Sequence, residues 1–243
     1  MMKIGMFDSG VGGLTVLKSV YDKYPNNEYI YIGDNKNSPY GDKTKEELYS
    51  YATRIIDYFI KQDIKVVVIA CNTICSNILP MLKDKYKDTT LIGVIDSTIN
   101  SFIKRDKKNV LVIATNKTIS SNVYEEKIKS VDNSINVYSL ATPKLVPMIE
   151  CGIDTRETLR ECFEPYKDID SIILGCTHYK IIEDKIDKKV EIINSSDGVV
   201  EELDNILDNN GTSKLEIYTT GNALEFNKLC IKIIGKEGNY IDL

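Results

Sequence analysis

The chain has 243 residues, of which 42% are hydrophobic and 28% are charged, and its formal net charge is −5. This composition is typical of globular proteins, and the length suits one large domain or two of modest size. No stretch is strongly basic, which argues against a nucleic-acid partner because phosphate binding needs clustered Lys and Arg. The longest uncharged run, residues 66–82, contains several polar residues and a proline, so no membrane span is predicted.

The predicted elements alternate along the whole chain, in the βαβα pattern of a parallel sheet covered by helices. A helix predicted over residues 44–61 opens with Thr44-Lys45-Glu46-Glu47, a capping box that satisfies free amide donors. Residues 154–157 offer a weaker version of the same box for a later helix. Strands are predicted at residues 3–7, 29–32, 66–70, 91–95, 110–114, 137–140, 171–174, 190–193 and 215–219.

Two segments, residues 66–73 and 171–178, have nearly the same pattern: a β-branched apolar run, a small residue, a cysteine, then small polar residues or a histidine. An apolar run without alternation predicts a strand buried on both faces. Cys71 and Cys176 therefore stand at the carboxyl ends of central strands, where open α/β sheets bind their ligands. The pattern indicates one active site with a sulfur on either side.

The two halves of the chain match elsewhere as well. Asp8 follows the first predicted strand and Thr115 follows the fifth, and each precedes its cysteine by a similar distance, 71 − 8 = 63 and 176 − 115 = 61 residues. We therefore predict an α/β fold of two similar parallel-sheet domains related by a pseudo-twofold axis, with the active site in the cleft between them. The first domain is predicted to comprise residues 1–96 plus about 205–243, and the second residues 97–204.

The six cysteines lie at positions 71, 75, 151, 162, 176 and 230, without the dense spacing of a disulfide scaffold. The first eight residues are too short and too charged for a signal peptide, so we expect reduced thiols and a cytoplasmic protein. Each thiol of the matched pair would sit near a helix amino terminus, which predicts a pKa lowered towards neutrality. The other four cysteines are expected to fill the core.

Three further features allow both a functional and a purely structural interpretation. The turn at residues 8–13 is rich in glycine and could hold an anion, but it lacks the spacing of a dinucleotide site and a phosphate-binding lysine. His178, the single histidine, stands two residues after Cys176, and with Cys71 and Cys75 it also permits a zinc site. Glu150 could be an ordinary surface carboxylate.

Five motifs in order along the chain resemble those of glutamate racemases, the cofactor-independent enzymes of the aspartate/glutamate racemase superfamily. They are Phe7-Asp8-Ser9-Gly10-Val11-Gly12-Gly13-Leu14, Gly33-Asp34 with Pro39-Tyr40-Gly41, Ala70-Cys71-Asn72-Thr73, Val146-Pro147 with Glu150, and Leu174-Gly175-Cys176-Thr177-His178-Tyr179. The chain departs from the usual pattern at Asn35, at Asp96-Ser97 and at Lys180, where Thr, Glu-Pro and Pro are common.

The resemblance implies conversion of L-glutamate to D-glutamate for peptidoglycan precursor synthesis, and so for the cell wall and cell shape. It implies Cys71 and Cys176 as the two acid/bases, supported by Asp8 and His178, with no cofactor and no metal. The small-molecule substrate is the expected ligand, with no nucleic acid or membrane partner, and a homodimer is expected. The candidate substrate-binding residues are Asp8, Ser9, Tyr40, Gly41, Asn72, Thr73, Thr115, Thr118, Glu150, Thr177 and His178.

The expected mechanism needs one thiolate and one thiol on opposite faces of Cα, because one base cannot easily serve both faces. By resemblance, Cys71 acts on the D-enantiomer and Cys176 on the L-enantiomer. No arginine lies in any motif, so helix amino termini and the polar groups of Asn72, Thr73 and Thr177 are expected to bind the α-carboxylate.

Four alternatives remain open at this point. A racemase of the same superfamily could act on aspartate or another amino acid. A related decarboxylase or isomerase would use a different set of thiols. A non-catalytic zinc or redox module would use the same cysteines, and an amino-acid-binding protein would bind the ligand without exchanging its α-proton.

Overall fold

The structure is a computed structural model that describes residues 2–186 and 189–243. Met1 of the predicted first domain, and residues 187 and 188 of the predicted second, lie outside the described residues. The strands of the described residues are β1 (Lys3–Asp8), β2 (Glu28–Gly33), β3 (Val66–Ile69), β4 (Thr90–Gly93), β5 (Asn109–Ala114), β6 (Asn136–Ala141), β7 (Ser171–Gly175), β8 (Glu191–Asn194), β9 (Lys214–Thr219) and β10 (Asn239–Tyr240).

The strands form two sheets in which every pairing is parallel. The larger sheet has the order β10-β9-β2-β1-β3-β4, and the smaller has the order β6-β5-β7-β8. The order β2-β1-β3-β4 in the first sheet is thus repeated as β6-β5-β7-β8 in the second. The predicted α/β fold with two parallel sheets is confirmed.

The central strands are buried along their whole length, as their unalternated apolar sequences predict. Every residue of β3 and β7 is buried, and so are five of the six residues of β1. A parallel strand with helices on both faces of its sheet has no side turned to water, which explains the runs of Val and Ile. Because β3 and β7 occupy equivalent places, Cys71 and Cys176 each follow the strand next to the first strand of their sheet.

The helices pack on both faces of the sheets. The helices at Val94–Ile103 and Ser195–Leu203 are packed together so closely that a Cβ atom at Gly198 would lie 2.5 Å from the carbonyl oxygen of Ser97. No helix in the described part of the chain is long and apolar enough to cross a membrane. The α-helices of the described residues are α1 (Leu14–Lys23), α2 (Lys45–Lys61), α3 (Asn72–Asn77), α4 (Leu79–Lys85), α5 (Val94–Ile103), α6 (Asn116–Ser120), α7 (Val123–Val131), α8 (Leu145–Glu150), α9 (Arg156–Phe163), α10 (Ser195–Leu203) and α11 (Ala223–Ile234). Three 3₁₀ helices of the same residues span Asn35–Asn37, Tyr40–Asp42 and Thr177–Lys185, the last directly after Cys176.

One of the two predicted capping boxes forms. The Thr44 hydroxyl accepts from the amide of Glu47, and the Glu47 carboxylate accepts from the amide of Thr44. At α9 the side chain of Thr155 makes no cap hydrogen bond, and the Asp154 carboxylate accepts from the amide of Arg156 instead. An Asp before a Thr offers the freed amide a stronger acceptor than the hydroxyl, because a carboxylate carries charge.

One predicted strand continues into a helix in the structure, and one short strand of the structure has no predicted counterpart. The strand predicted at residues 91–95 ends at Gly93, and Val94 and Ile95 begin α5. The two-residue strand β10 was not predicted, because it carries too few residues to show a periodic pattern. Strand β9 pairs with β2 in the larger sheet. The domain boundaries near residues 96 and 205 stay predictions.

Candidate active site

A cavity of about 660 Å³ lies at the carboxyl ends of both sheets. The residues that line it follow the ends of β1, β2, β3, β5, β6 and β7, so both sheets contribute. Carboxyl ends of parallel strands are the usual ligand site of such sheets, and two sheets that meet at these ends enclose a site from both sides. Cys71 and Cys176 both line this cavity.

The structure brings nearly all the predicted site residues together. Thr118 is the exception, since it is buried and does not line the cavity. Its hydroxyl is 3.2 Å from that of Thr115, which does. The predicted residues that line the cavity are Asp8, Ser9, Tyr40, Gly41, Cys71, Asn72, Thr73, Thr115, Glu150, Cys176, Thr177 and His178.

Cys71 is a buried thiol between the end of β3 and the start of α3. Burial, together with the nearby Asp8 carboxylate, raises its pKa well above the ordinary value. Hydrogen bonds from the amide of Ile74 and from Ser9 act in the opposite direction without offsetting burial. The expectation that a helix amino terminus lowers the pKa of this thiol is therefore wrong for Cys71. A six-residue helix supplies a weak dipole, whereas desolvation penalises the whole thiolate charge.

Cys176 has a different neighbour. Its Sγ atom is 3.8 Å from Nδ1 of His178, and Nε2 of the same ring is 3.0 Å from Oε1 of Glu150. Burial alone would lower the pKa of His178, but hydrogen bonds to Cys176 and Glu150 and the charge of Asp8 raise it to about 10. This raised pKa favours the imidazolium form of His178 at neutral pH, with Glu150 and Asp8 as its nearby carboxylates.

Asp8 ties the two sheets together beneath the cavity. Its Oδ2 atom accepts from the amide of Gly13 at 2.6 Å and from the Thr177 hydroxyl at 3.3 Å. Burial raises the pKa of Asp8, although the charge of His178 and the amide of Gly13 oppose this. The carboxylate thus faces both Cys71 and the residues that follow Cys176.

The glycines of residues 8–13 are explained by close packing between the two halves. A Cβ atom at Gly12 would lie 2.4 Å from Oγ1 of Thr177 and 2.5 Å from Nδ1 of His178. The turn therefore passes directly against the segment that follows Cys176, and only a residue without a side chain fits there. The sequence pattern indicated a turn or an anion site, and the structure adds this packing role.

Hydrogen bonds to Asp34, whose side chain is fully buried, hold the segment with Tyr40 and Gly41 at the cavity. The Asp34 carboxylate accepts from the hydroxyls of Tyr40 at 2.5 Å and Thr220 at 2.6 Å, and from Asn37 at 3.0 and 2.9 Å. The segment after β2 is therefore held in place by a hydrogen bond to Thr220, which directly follows β9 of the same sheet. The departure at Asn35 lines the cavity and makes a neighbouring contact, since its Oδ1 accepts from the Thr219 hydroxyl at 3.1 Å.

The other two departures from the family pattern lie in ion-pair clusters. Asp96 is 3.2 Å from Lys83 and 2.9 Å from Lys127, and Lys180 is 2.6 Å from Glu183. None of these residues lines the cavity. These two departures therefore lie outside the cavity wall, whereas the departure at Asn35 lies in it.

The cavity also contains residues that the sequence interpretation missed. Lys117 lines it and donates to the backbone oxygen of Lys43, so a cation from the second sheet reaches the loop of the first. Thr142 follows β6, and its hydroxyl is 2.7 Å from that of Tyr179. Applying the carboxyl-edge rule to every predicted strand, β6 included, would have found Thr142.

The remaining cysteines do not all behave as expected. Cys75 and Cys230 are buried, but Cys151 is exposed and lines the cavity, which contradicts a core-filling role for it. The Cys75 thiol donates to the carbonyl of Ile69 at 3.4 Å and does not line the cavity, so the four ligands of a zinc site are not gathered there. Among residues 2–186 and 189–243, no group of three or more His, Cys, Asp or Glu is arranged to hold a metal ion.

Comparison with known proteins gives a consistent result. The sequence model of Asp/Glu/hydantoin racemases matches residues 16–203. A glutamate racemase of Hydrogenobaculum sp. is 37% identical over 247 residues, covering 97% of this chain and 94% of that protein. One of Lactobacillus acidophilus is 38% identical over 243 residues, covering 93% and 91%.

Solved structures agree in fold along the whole chain. A glutamate racemase isoform from Bacillus anthracis superposes with a TM-score of 0.91 at 32% identity, covering 100% of this chain and 98% of that one. A glutamate racemase from Francisella tularensis, solved in complex with D-glutamate, superposes with a TM-score of 0.87 at 31% identity, covering 100% and 97%.

Proposed function

The chain belongs to the Asp/Glu/hydantoin racemase family and is an amino-acid racemase, and we propose that it interconverts L- and D-glutamate with Cys71 and Cys176 as its two acid/bases. One observation carries the two-thiol mechanism: both cysteines line one cavity, and each reaches it from the equivalent strand of a different sheet. A substrate held between the sheets can then present opposite faces of Cα to the two sulfurs.

The two thiols have different neighbours in the structure. Burial and Asp8 keep Cys71 as the thiol, since they raise its pKa. Cys176 instead lies 3.8 Å from Nδ1 of His178, which can exchange a proton with it, and Glu150 holds the other ring nitrogen. We therefore assign removal of the α-proton of L-glutamate to Cys176, in agreement with the assignment by family resemblance.

The proton steps balance without another reactant. The Cys176 thiolate takes the α-proton of L-glutamate, and the electron pair of the C–H bond is left on Cα and delocalised into the α-carboxylate. The Cys71 thiol then delivers its proton to the opposite face of Cα. The product is D-glutamate, with Cys176 as the thiol and Cys71 as the thiolate, and turnover of D-glutamate uses the same steps in reverse. After D-glutamate leaves, exchange with water removes the proton from Cys176 and returns one to Cys71 before the next L-glutamate reacts.

The residues that follow the cysteines recognise the charged ends of the substrate in this proposal. Nδ2 of Asn72 is buried and has no hydrogen-bond partner among the described residues, and Asn72 lines the cavity. An unpaired buried donor costs free energy, so a ligand oxygen that accepts from it is favoured. The hydroxyl of Thr73 lines the same region and can donate to the α-carboxylate, where charge develops as the proton leaves. The Thr177 hydroxyl also lines the cavity, but it donates to the carboxylate only by giving up its hydrogen bond to Asp8.

We further propose that the enzyme is cytoplasmic and homodimeric and that it supplies D-glutamate for peptidoglycan precursors. The support for glutamate is the set of relatives named above, which are glutamate racemases. The six free cysteines of the structure are consistent with a reducing compartment.

The test is incubation of the purified protein with L-glutamate alone, followed by chiral chromatography. The proposal expects the D-enantiomer to accumulate to an equal mixture, because the two enantiomers have the same free energy in water. A parallel incubation with L-aspartate should give much slower racemisation. Comparable rates with both would overturn the substrate assignment, and activity that a chelator removes and zinc restores would overturn the mechanism.

A further inference from the structure

Tyr124 is a buried tyrosine of α7 that touches the segments of both candidate cysteines. Its hydroxyl donates to Oδ1 of Asn72 at 2.8 Å, and Asn72 directly follows Cys71. Its ring lies against Gly175, which directly precedes Cys176: a Cβ atom at Gly175 would be 3.2 Å from Cε2 of Tyr124. One side chain from the second half of the chain therefore bridges the two strand ends that carry sulfur.

The hydrogen bond fixes which way the Asn72 amide faces. An Asn side chain has one acceptor and one donor end, and the two ends exchange when the amide rotates. With Oδ1 held by the Tyr124 hydroxyl, Nδ2 is the end left for the cavity, and it has no partner among the described residues. Asn72 is only 4% exposed, so water offers this group little alternative.

We propose that Tyr124 is a positioning residue for substrate binding, which fixes the Asn72 amide with its donor towards the substrate carboxylate. This inference rests on the proposed function, because it requires an amino-acid substrate with its carboxylate at Asn72. Without the Tyr124 hydroxyl, the amide can turn its oxygen to the cavity, where an acceptor would repel a carboxylate. Tyr124 does not touch the reacting atoms and acts through Asn72.

The first experiment compares the kinetics of Tyr124→Phe with those of a matched control, Tyr29→Phe. Tyr29 is also buried, but its hydroxyl donates to the backbone oxygen of Tyr24, which does not line the cavity, whereas that of Tyr124 donates to Asn72, which does. Tyr124→Phe should raise KM for L-glutamate by about tenfold and change kcat little. A tenfold change corresponds to the loss of one hydrogen bond to a charged group. Tyr29→Phe should lower the melting temperature and leave KM unchanged.

A double-mutant cycle separates positioning from a general structural role. Asn72→Ala should raise KM by itself, and adding Tyr124→Phe should raise it no further, because Tyr124 acts only through Asn72. A KM effect of Tyr124→Phe that persists in the Asn72→Ala background would overturn the proposal, as would an unchanged KM in Tyr124→Phe alone.

A measurement on the unaltered protein keeps the proposal testable if Tyr124→Phe does not fold. The ¹⁵N-labelled side-chain amide of Asn72 should give one slowly exchanging NH₂ pair whose shifts change on addition of glutamate. A pair that does not respond to glutamate would overturn the role of Asn72 and Tyr124. The racemisation assay of the unaltered protein is read separately: no turnover of glutamate refutes the proposed function, whereas turnover with an unresponsive amide refutes only this inference.

Discussion

Glu150→Gln tests the electrostatics around Cys176, because Glu150 is the carboxylate that supports His178. The two unit charges lie 3.0 Å apart, and the Glu150 side chain is 43% exposed, so the dielectric is closer to that of water than to that of a protein interior. Coulomb's law at a water-like dielectric gives about 1.4 kcal/mol for this pair, which corresponds to about one pKa unit. The pKa of His178 should therefore fall below about 10 in the variant by this amount.

The assay is an NMR titration of the histidine Cε1 proton, and it needs no assignment because the chain has a single histidine. The alkaline limb of kcat/KM for L-glutamate should move down by the same amount. Glu191→Gln is the matched control, since Glu191 pairs with Arg105 at 2.8 Å and does not line the cavity. A midpoint close to 6.5 in the unaltered protein, or no change in Glu150→Gln, would refute the reasoning.

Three further predictions follow from the packing and the pKa directions. Gly12→Ala should lower both activity and melting temperature, because its Cβ atom would meet Thr177 and His178. Gly41→Ala should leave the melting temperature unchanged, since nothing in the described chain lies within 4 Å of a Cβ atom there. Equal melting temperatures for the two variants would contradict this prediction. Glutamate at about a hundred times Kd should stabilise the fold by about 2.7 kcal/mol and raise the melting temperature by roughly 5–10 °C. The radius of gyration in solution scattering should become smaller as the two halves close. An unchanged melting temperature and an unchanged radius would count against a closing cleft. The free energy of unfolding should fall between pH 6.5 and about 10, because folded His178 keeps a proton there that the unfolded chain loses. The raised pKa of Cys71 lowers the free energy of unfolding further at the alkaline end, since the folded thiol keeps its proton longer than the unfolded one. Urea titrations that give the same free energy of unfolding across this pH range would be inconsistent with these shifts.

Much of the fold could be predicted because its strands are buried on both faces. Strands such as β3 and β7 are uninterrupted apolar runs, and the rule that ligands bind at carboxyl ends then placed Cys71 and Cys176 in one cavity. The strand after residue 90 was predicted too long, since Val94 and Ile95 are as apolar as strand residues but belong to α5. Local composition does not distinguish a buried strand from a buried helix end.

The parts of the site that escaped prediction depend on tertiary contacts. The pKa of Cys71 was expected to fall because of α3, but burial and Asp8 dominate it, and neither is visible in a local pattern. Lys117 reaches the cavity only because α6 lies opposite the loop that ends at Lys43. The bridge from Tyr124 to Asn72 joins residues 52 positions apart, and no short motif contains both.

The division of labour between the two thiols is tested most directly by the single variants Cys71→Ser and Cys176→Ser. A serine hydroxyl is far too basic to exchange protons at neutral pH, so racemisation should fall by orders of magnitude in each. The remaining thiol should still abstract the proton of the enantiomer it faces. A glutamate analogue with a leaving group on its amino nitrogen reports this step, because elimination needs one base and no reprotonation. The account predicts that Cys71→Ser eliminates from the L-analogue and Cys176→Ser from the D-analogue. Elimination from the same enantiomer in both variants, or near-normal racemisation in either, would contradict it.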